Sequence, residues 1–217
     1  MRCAAATASG VTSWMDRSGR DLLCFYYGLQ GFLGGVVGKE TEVKIKIEDP
    51  DDFSRQLLSL NPRILTARHF EDNHLLDYTD LGLQSRHCMI RVRQAGQTSI
   101  LTFKGPPEDN EIFKIREEIE TGLADGAKTI QILERLGLSV WFRYQKYRRE
   151  YTLNDVIVAV DETPIGNYIE LEGETSGIHG LAVRLNIEAS RFVRDSYYTL
   201  YLHECRLKGI PPKNMVF

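Results

Sequence analysis

The sequence has few cysteines and no long apolar run. Its four cysteines, Cys3, Cys24, Cys88 and Cys205, show no CxxC spacing, and four in 217 residues is far below the density of a disulfide scaffold. We therefore expect a reducing compartment and a cytoplasmic protein. The longest uncharged run, residues 22–38, contains 17 residues including five glycines. Because a spanning helix needs about 20 mostly apolar residues, no membrane segment is predicted.

The chain also lacks an excess of either charge. It carries 27 Lys and Arg against 30 Asp and Glu, with a net charge of about -3 and a pI near 6.0. Such a balance provides no global field for nucleic acid or for an anionic membrane, so neither is expected as a partner. Any anion site must be built from locally clustered cations.

Familiar catalytic motifs are absent too. The sequence contains no GxxxxGK[ST] phosphate loop, no GxSxG nucleophile elbow, no GxGxxG and no HExxH. These absences argue against a P-loop nucleotidase, a serine hydrolase of the nucleophile-elbow type and a zinc protease.

Residues 1–37 differ from the remainder of the chain and are expected to form an N-terminal extension before one domain, residues 38–217. The extension is rich in small residues, then in aromatic residues and glycine, without clear periodicity. One hypothesis is that it is not native and that translation starts at Val36 or Val37. The alternative is a genuine, loosely docked extension.

From Lys39 onward, polar and apolar residues alternate with a period of two, which predicts strands. The predicted strands cover residues 40–47, 89–94, 99–104, 112–121, 143–153, 156–161 and 168–173. Helices are expected between and after them, starting at Asp51 or Asp52, at Asp125, at Ser176 and at Asp195. Because most strands are adjacent in sequence, the sheet is expected to be antiparallel.

One face of nearly every predicted strand is ionic. Residues two positions apart lie on the same face of a strand. The charged residues that share a face in this way are Glu40, Glu42 and Lys44; Arg91 and Arg93; Arg116, Glu118 and Glu120; Lys146 and Arg148; and Glu170 and Glu172. Lys104 and Asp161 end two further strands. A single such face is normally solvated. Repetition over most strands favours a closed sheet with a charged lumen and amphipathic helices outside it.

The charges suit a polyanion held together with its cations. Lysine and arginine bind the closely spaced negative charges of a triphosphate by charge-assisted contacts. Carboxylate clusters without nearby histidine or cysteine select hard cations, so Mg²⁺ or Mn²⁺ is the expected cofactor.

An ordered series of motifs resembles the CYTH family, the triphosphate tunnel metalloenzymes. Glu40-Thr-Glu42-Val-Lys44 is similar to the ExExK signature of that family, which is weak alone. The series that strengthens it is Phe70-Glu-Asp-Asn73 with Leu76-Asp77, Ile90-Arg91-Val-Arg93, Thr102-Phe-Lys104-Gly, Arg116-Glu-Glu118-Ile-Glu120, Lys146-Tyr-Arg148, Asp161-Glu-Thr-Pro-Ile-Gly, Glu170-Leu-Glu172-Gly and Ser196-Tyr197. The resemblance covers about residues 38–200.

The resemblance implies an α+β fold, an antiparallel eight-stranded tunnel with helices packed outside. It also implies that the phosphate chain is bound by Lys44, Arg91, Arg93, Lys104, Arg116, Lys146 and Arg148. The implied metal ligands are Glu40, Glu42, Asp161, Glu170 and Glu172, with Glu118 and Glu120 assisting. Of these residues, Glu40, Glu42, Lys44, Glu170 and Glu172 are the predicted catalytic set.

Several of these residues have plainer alternative roles. Glu118 or Glu120 could pair with a cation across the lumen, and Asp161 could cap the turn that follows it. Tyr197 could pack on its helix. The aromatic residues 141–144 could stack a nucleobase or simply pack in the core.

The predicted function is metal-dependent hydrolysis of a small triphosphate substrate: inorganic tripolyphosphate, a nucleoside triphosphate or thiamine triphosphate. The first alternative is a class IV adenylate cyclase, in which the ribose 3′-hydroxyl of ATP attacks its own α-phosphorus. The second is a non-catalytic module that binds polyphosphate or nucleotide. Sequence alone does not fix the substrate register that separates hydrolysis from cyclisation, and it does not indicate an oligomeric state.

Overall fold

Eight antiparallel strands form a closed barrel in the computed structural model, which describes residues 36–217. The strands are β1 (Val36–Ile47), β2 (Arg63–Tyr78), β3 (Met89–Ala95), β4 (Thr98–Lys104), β5 (Lys114–Leu123), β6 (Leu138–Leu153), β7 (Val156–Thr163) and β8 (Gly166–Glu172). Their order around the barrel is β1, β5, β4, β3, β2, β6, β7 and β8, and β8 pairs with β1. The expected eight-stranded antiparallel tunnel is confirmed. Of the predicted extension, residues 1–35 lie outside the described residues.

In the part of the chain that the structure describes, four α-helices pack on the outside of the barrel. They are α1 (Pro50–Leu58), α2 (Gly126–Arg135), α3 (Thr175–Arg184) and α4 (Tyr197–Lys208). In residues 36–217, no helix is both long and apolar enough to cross a membrane. The α+β class expected from the sequence is confirmed.

Alternation along the strands separates an apolar exterior from the charged interior. On the outward faces of β1, β7 and β8, the side chains of Val43, Ile45, Val158, Val160, Ile169 and Leu171 are all fully buried. They form one core cluster with Phe53 and Leu57 of α1 and with Ile178 and Leu181 of α3. Full burial of such a side chain stabilises the fold by about 1.5–3 kcal/mol. The helices therefore cover the apolar face and leave the ionic face for the lumen.

The helix starts differ from the prediction by one to three residues. Asp49, not Asp51 or Asp52, caps α1, and its carboxylate accepts hydrogen bonds from the backbone N–H groups of both. Pro50 explains the difference, because proline suits the first helical position and fixes the cap one residue earlier. Ser196 rather than Asp195 caps α4, and α3 begins at Thr175 without a side-chain cap. The predicted cap at Asp125 is confirmed.

Strand β2, which is 16 residues long, was not among the predicted strands. Its pairing with β6 shifts register near Thr66 and again between Leu75 and Leu76. The shifts near Thr66 each leave an extra residue on β2, whereas the shift at Leu75 and Leu76 leaves the extra residue on β6. An extra residue breaks the period of two on which strand prediction depends. Strand β2 was therefore missed in the prediction because its own pairing with β6 is irregular.

The C-terminal tail, residues 210–217, is attached to β6 at a stretch that β7 does not reach. Met215 donates its backbone N–H to the carbonyl of Arg143 at 3.0 Å, and its own carbonyl accepts from the N–H of Gln145 at 2.9 Å. Its side chain is 1% exposed and packs in a cluster with Tyr144 and Tyr197. The tail thus holds α4 against the barrel wall.

Burial on α3 predicts an unequal response to two similar truncations. Ile178 is fully buried between α3 and the barrel, whereas Val183 on the same helix is 78% exposed. We expect Ile178→Ala to lower the free energy of unfolding in urea by about 2–5 kcal/mol. Val183→Ala is the matched control and should change it by less than about 0.5 kcal/mol. Equal losses in the two variants would contradict the packing described for α3.

Candidate active site

Inside the barrel lies a cavity of about 550 Å³ that is lined by charged side chains from seven strands. Its lysine and arginine residues are Lys44, Arg91, Arg93, Lys104, Lys114, Arg116, Lys146, Arg148 and Arg194, and its acidic residues within the strands are Glu40, Glu42, Asp77, Glu118, Glu120, Glu150, Glu170 and Glu172. All seven predicted phosphate-binding residues and six of the seven predicted metal ligands are therefore brought together. The seventh, Asp161, lies behind this surface and is fully buried. We call this cavity the tunnel.

Register between strands places charged residues opposite one another. On the β1–β8 pair, Glu42 lies opposite Glu172 and Lys44 lies opposite Glu170. On the β1–β5 pair, Glu40 lies opposite Arg116. Because directly opposed side chains are about 5 Å apart at Cβ, the register forces both attraction and repulsion inside the barrel.

Glutamates hold the lysines at the centre of the tunnel. Lys44 Nζ lies 3.0 Å from Glu42 Oε1 and 3.4 Å from Glu170 Oε1. Lys104 pairs with Glu40 and, at 3.1 Å, with Glu118. Burial alone would lower the pKa of Lys44, but the two carboxylates beside it raise that pKa above its ordinary value. Lys44 is therefore charged at neutral pH, as an anion-binding lysine must be.

Asp161 joins three donors deep in the wall. Its carboxylate accepts hydrogen bonds from Lys146 Nζ at 2.9 Å, from Arg148 Nε and Nη2 at 2.7 and 2.6 Å, and from the Tyr197 hydroxyl at 2.6 Å. Burial would lower the pKa of Arg148, but the charges of Asp161 and Glu170 raise it well above its ordinary value. Asp161 thus contacts two tunnel cations, whereas metal ligation is its implied role and a turn cap its alternative.

Tyr197 extends from the start of α4 into this network. Its ring lies beneath Lys44 and Lys146, at 5.5 and 5.2 Å from the two Nζ atoms. Burial, and then the charge of Asp161, raises the pKa of its hydroxyl, so the hydroxyl stays protonated and donates to Asp161. Packing on its own helix, the plainer alternative, describes only part of its role.

Glu71 is a buried residue behind the tunnel wall to which the sequence assigned no role. It is 2% exposed, and its carboxylate lies 3.5 Å from both Arg93 Nη1 and Lys146 Nζ and 3.4 Å from His69 Nε2. Burial would raise its pKa, but Lys146 and Arg93 hold the pKa well below its ordinary value. The motif around Phe70 contained the signal, but its inward face could not be recognised while β2 went unpredicted.

Several carboxylates crowd together at the other side of the tunnel. Burial, and then the negative charge of Glu40, raises the pKa of Glu172 to about 8. Burial and the same neighbour, together with Glu120, raise the pKa of Glu118 to about 7 against the opposing charge of Lys104. Within the described residues, Glu172 has no ion pair, and Glu40 Oε2 is buried without a hydrogen-bond donor. This crowding is relieved by positive charge.

A divalent cation is the positive charge that such oxygens fit. The donor set is all carboxylate, which suits Mg²⁺ or Mn²⁺, and Glu40 offers an unused buried oxygen. Among residues 36–217, no three acidic, histidine or cysteine side chains are already grouped to hold a metal ion. Glu40, Glu42 and Glu170 instead contact cationic side chains of the protein. Metal binding would therefore require some glutamates to exchange partners.

Comparison with known proteins identifies the family of this chain. Residues 38–192 match the CYTH domain, so the chain belongs to the CYTH family. It is 28% identical over 172 residues to "Putative adenylate cyclase MJ0240" of Methanocaldococcus jannaschii, covering 74% of this chain and 97% of that protein. It is 26% identical over 174 residues to "Adenylate cyclase CyaB" of Aeromonas hydrophila, covering 74% and 87%.

The barrel is also similar to a solved structure. HpAC1 from Hippeastrum, which is described as revealing a dominant triphosphatase activity, superposes with a TM-score of 0.56. The sequences are 19% identical, and the match covers 80% of this chain and 97% of that one. At this identity the likeness concerns the fold.

The crowded carboxylates predict that Glu172→Gln stabilises the metal-free protein. Because the pKa of Glu172, about 8 in the folded state, lies above its ordinary value of 4.5, the carboxyl group contributes less stability as the pH rises through this range. The loss is complete above about pH 8. We expect the variant to match the parent near pH 4.5 and to exceed it by about 2–4 kcal/mol near pH 9.

The measurement is urea unfolding in the presence of a chelator at both pH values. Glu134→Gln, at an exposed position on α2, is the matched control and should change stability little at either pH. A Glu172→Gln variant that is less stable than the parent near pH 9 would show that the carboxylate is not repelled by its neighbours.

Proposed function

We propose that the protein is a metal-dependent hydrolase of triphosphate-containing substrates. The observation that carries this proposal is the enclosed tunnel, in which seven predicted phosphate-binding cations and a crowded set of carboxylates face one cavity. Nine lysine and arginine side chains line this one cavity. The cations fit the anionic chain, and the carboxylates fit the metal that accompanies it.

Binding would proceed by exchange of partners. Lys44, Arg93 and Lys104 each contact glutamates now, and a phosphate chain offers them oxygens of higher charge density. Asp161 and Glu71 lie behind the cations and remain in place, so Lys146, Arg148 and Arg93 keep their positions while the ligand enters. Preorganised cations of this kind stabilise charge that develops on phosphoryl oxygens during transfer.

Metal ligation is assigned to the glutamates. Glu40, Glu42, Glu118, Glu120, Glu170 and Glu172 would hold Mg²⁺ or Mn²⁺, which neutralises phosphate oxygens and orients the attacking water. Asp161, predicted as a further ligand, already accepts four hydrogen bonds, and we assign it to positioning Lys146 and Arg148 instead. In hydrolysis, water attacks the terminal phosphorus, the bond to the bridging oxygen breaks, and orthophosphate and the diphosphate product are released.

Adenylate cyclisation is the second candidate, and the names of the two curated relatives favour it. The tunnel would be the same, but the 3′-hydroxyl of bound ATP would attack the α-phosphorus and pyrophosphate would leave. The triphosphatase activity described for HpAC1 supports hydrolysis within the same fold. Hydrolysis also requires only water as the second reactant, and we therefore place it first.

Product analysis separates the candidates. Purified protein is incubated with ATP and, separately, with inorganic tripolyphosphate, each with Mg²⁺ or Mn²⁺. We expect orthophosphate release that depends on the metal and that Glu42→Gln or Glu172→Gln abolishes without loss of the fold. Cyclic AMP with pyrophosphate would assign the cyclase reaction. Tight binding without turnover would overturn both in favour of a binding module.

The positive charge of Arg93 predicts that its removal weakens triphosphate binding in a salt-dependent way. Arg93→Ala removes one partly buried guanidinium from the tunnel and should weaken triphosphate binding by about tenfold or more at low ionic strength. The loss should shrink as salt is added, because screening already reduces the contact. Titration calorimetry at two salt concentrations measures this, with the exposed Arg184→Ala on α3 as the control. A loss independent of salt would indicate structural damage instead.

A further inference from the structure

The C-terminal tail, residues 210–217, continues directly from the helix that carries Tyr197. Gly209 ends α4 with a left-handed φ of 64°, a conformation that favours glycine. Pro211 and Pro212 follow, and consecutive prolines restrict the backbone to extended conformations. The chain is therefore turned back from α4 and loses little further freedom when it is bound to the barrel.

The tail is bound to β6 on both sides of Tyr144. Met215 forms a parallel bridge with Tyr144, through its two backbone hydrogen bonds to the neighbouring residues of β6. The side-chain oxygen of Asn214 also accepts the backbone N–H of Arg143 at 2.9 Å. Because Tyr144 lines the tunnel, the tail fixes the backbone of a residue in the tunnel wall.

Tyr201 connects the tail to α4. Its hydroxyl donates to the carbonyl of Asn214 at 3.3 Å and accepts the backbone N–H of Lys213 at 3.0 Å. Tyr201 lies four residues after Tyr197, so the two side chains share one face of the helix. Of the residues of α4, all of which the structure describes, only Tyr197 and Cys205 are buried. The tail therefore supplies a substantial part of the attachment of this helix.

Met215 lies behind two tyrosines that contact the charged side chains of the tunnel. Its side chain shares one apolar cluster with Tyr144 and Tyr197. The Tyr144 hydroxyl accepts a hydrogen bond from Arg91 at 3.3 Å, and the Tyr197 hydroxyl donates to Asp161 at 2.6 Å. A shift of the tail would therefore be transmitted to charged side chains in two different parts of the tunnel wall.

We propose that Met215 and Tyr201 are positioning residues, through which the C-terminal tail sets the tunnel cations for triphosphate binding. They act through Tyr144 and Tyr197, because neither is among the described residues that line the tunnel. Cations that are held in place before the ligand enters need less ordering when it binds. The inference rests on the proposed function. The match to the CYTH domain, residues 38–192, does not reach the tail.

Calorimetric titration with inorganic tripolyphosphate tests this role without requiring turnover. Met215→Ala is expected to raise the dissociation constant by about fivefold or more, the scale of one lost hydrogen bond. Met215→Leu nearly conserves the buried volume and should restore most of the affinity. Leu207→Ala, at an exposed position on α4, is the matched control and should change the dissociation constant by less than about twofold. A purely structural role would lower the fraction of protein that binds and leave the dissociation constant unchanged.

Tyr201→Phe is the second variant, and it keeps the ring in place if Met215→Ala fails to fold. It should raise the dissociation constant by about threefold or more. In combination with Tyr197→Phe, the loss of affinity should be smaller than the product of the two single losses, because both changes act on the same contact. Losses that multiply would overturn the route through Tyr197.

An unchanged dissociation constant in both Met215→Ala and Tyr201→Phe would overturn the proposal as a whole. A parent protein that binds no tripolyphosphate would refute the proposed function instead. The connection between tail and tunnel wall is then measured by unfolding in urea, where the stability losses of Tyr197→Phe and Tyr201→Phe should not be additive. Additive losses would show that the tail does not position Tyr197.

Discussion

Opposed charges confined in a closed barrel are the constraint on which this structure depends. Taking an ion out of water has a penalty of several kcal/mol, which only a close partner offsets. Asp161 shows how this penalty is offset, because its fully buried carboxylate accepts four hydrogen bonds from Lys146, Arg148 and Tyr197. Glu71 does the same for Arg93 and Lys146. The apolar exterior beneath the helices supplies the stability that this interior lacks.

Charged side chains are fully paired on one side of the tunnel and incompletely paired on the other. Around Asp161, every charge has a partner, whereas Glu172 and Glu118 have pKa values raised to about 8 and 7. Proteins commonly keep such destabilising arrangements where function requires them. The same glutamate can therefore weaken the fold and serve the reaction. The well-paired wall fixes the cations, and the poorly paired wall is where we propose that a metal binds.

The strand pattern alone predicted much of the barrel, because alternation is a property of each strand by itself. Lys44, Arg91 and Glu170 were placed on inward faces from their spacing, and the structure puts all three in the tunnel. Glu71 was missed because bulges interrupt the period of β2.

Contacts between distant elements could not be predicted in this way. That Asp161 joins two cations to Tyr197 depends on how α4 lies across the barrel, and residue spacing carries no such information. The same holds for Trp141, whose direction is set by a bulge and whose neighbour Tyr198 comes from another element.

Closure of the barrel also governs how the chain reaches this structure. Strand β1 pairs with β5 and with β8, and Glu42 meets Glu172 roughly 130 residues further along the chain. Contacts so distant in sequence form slowly, because the entropy of closing the loop must be overcome first. During synthesis, β1 stays without its second neighbour until β8 has emerged. The charged lumen is therefore closed only once the first strand has met the last.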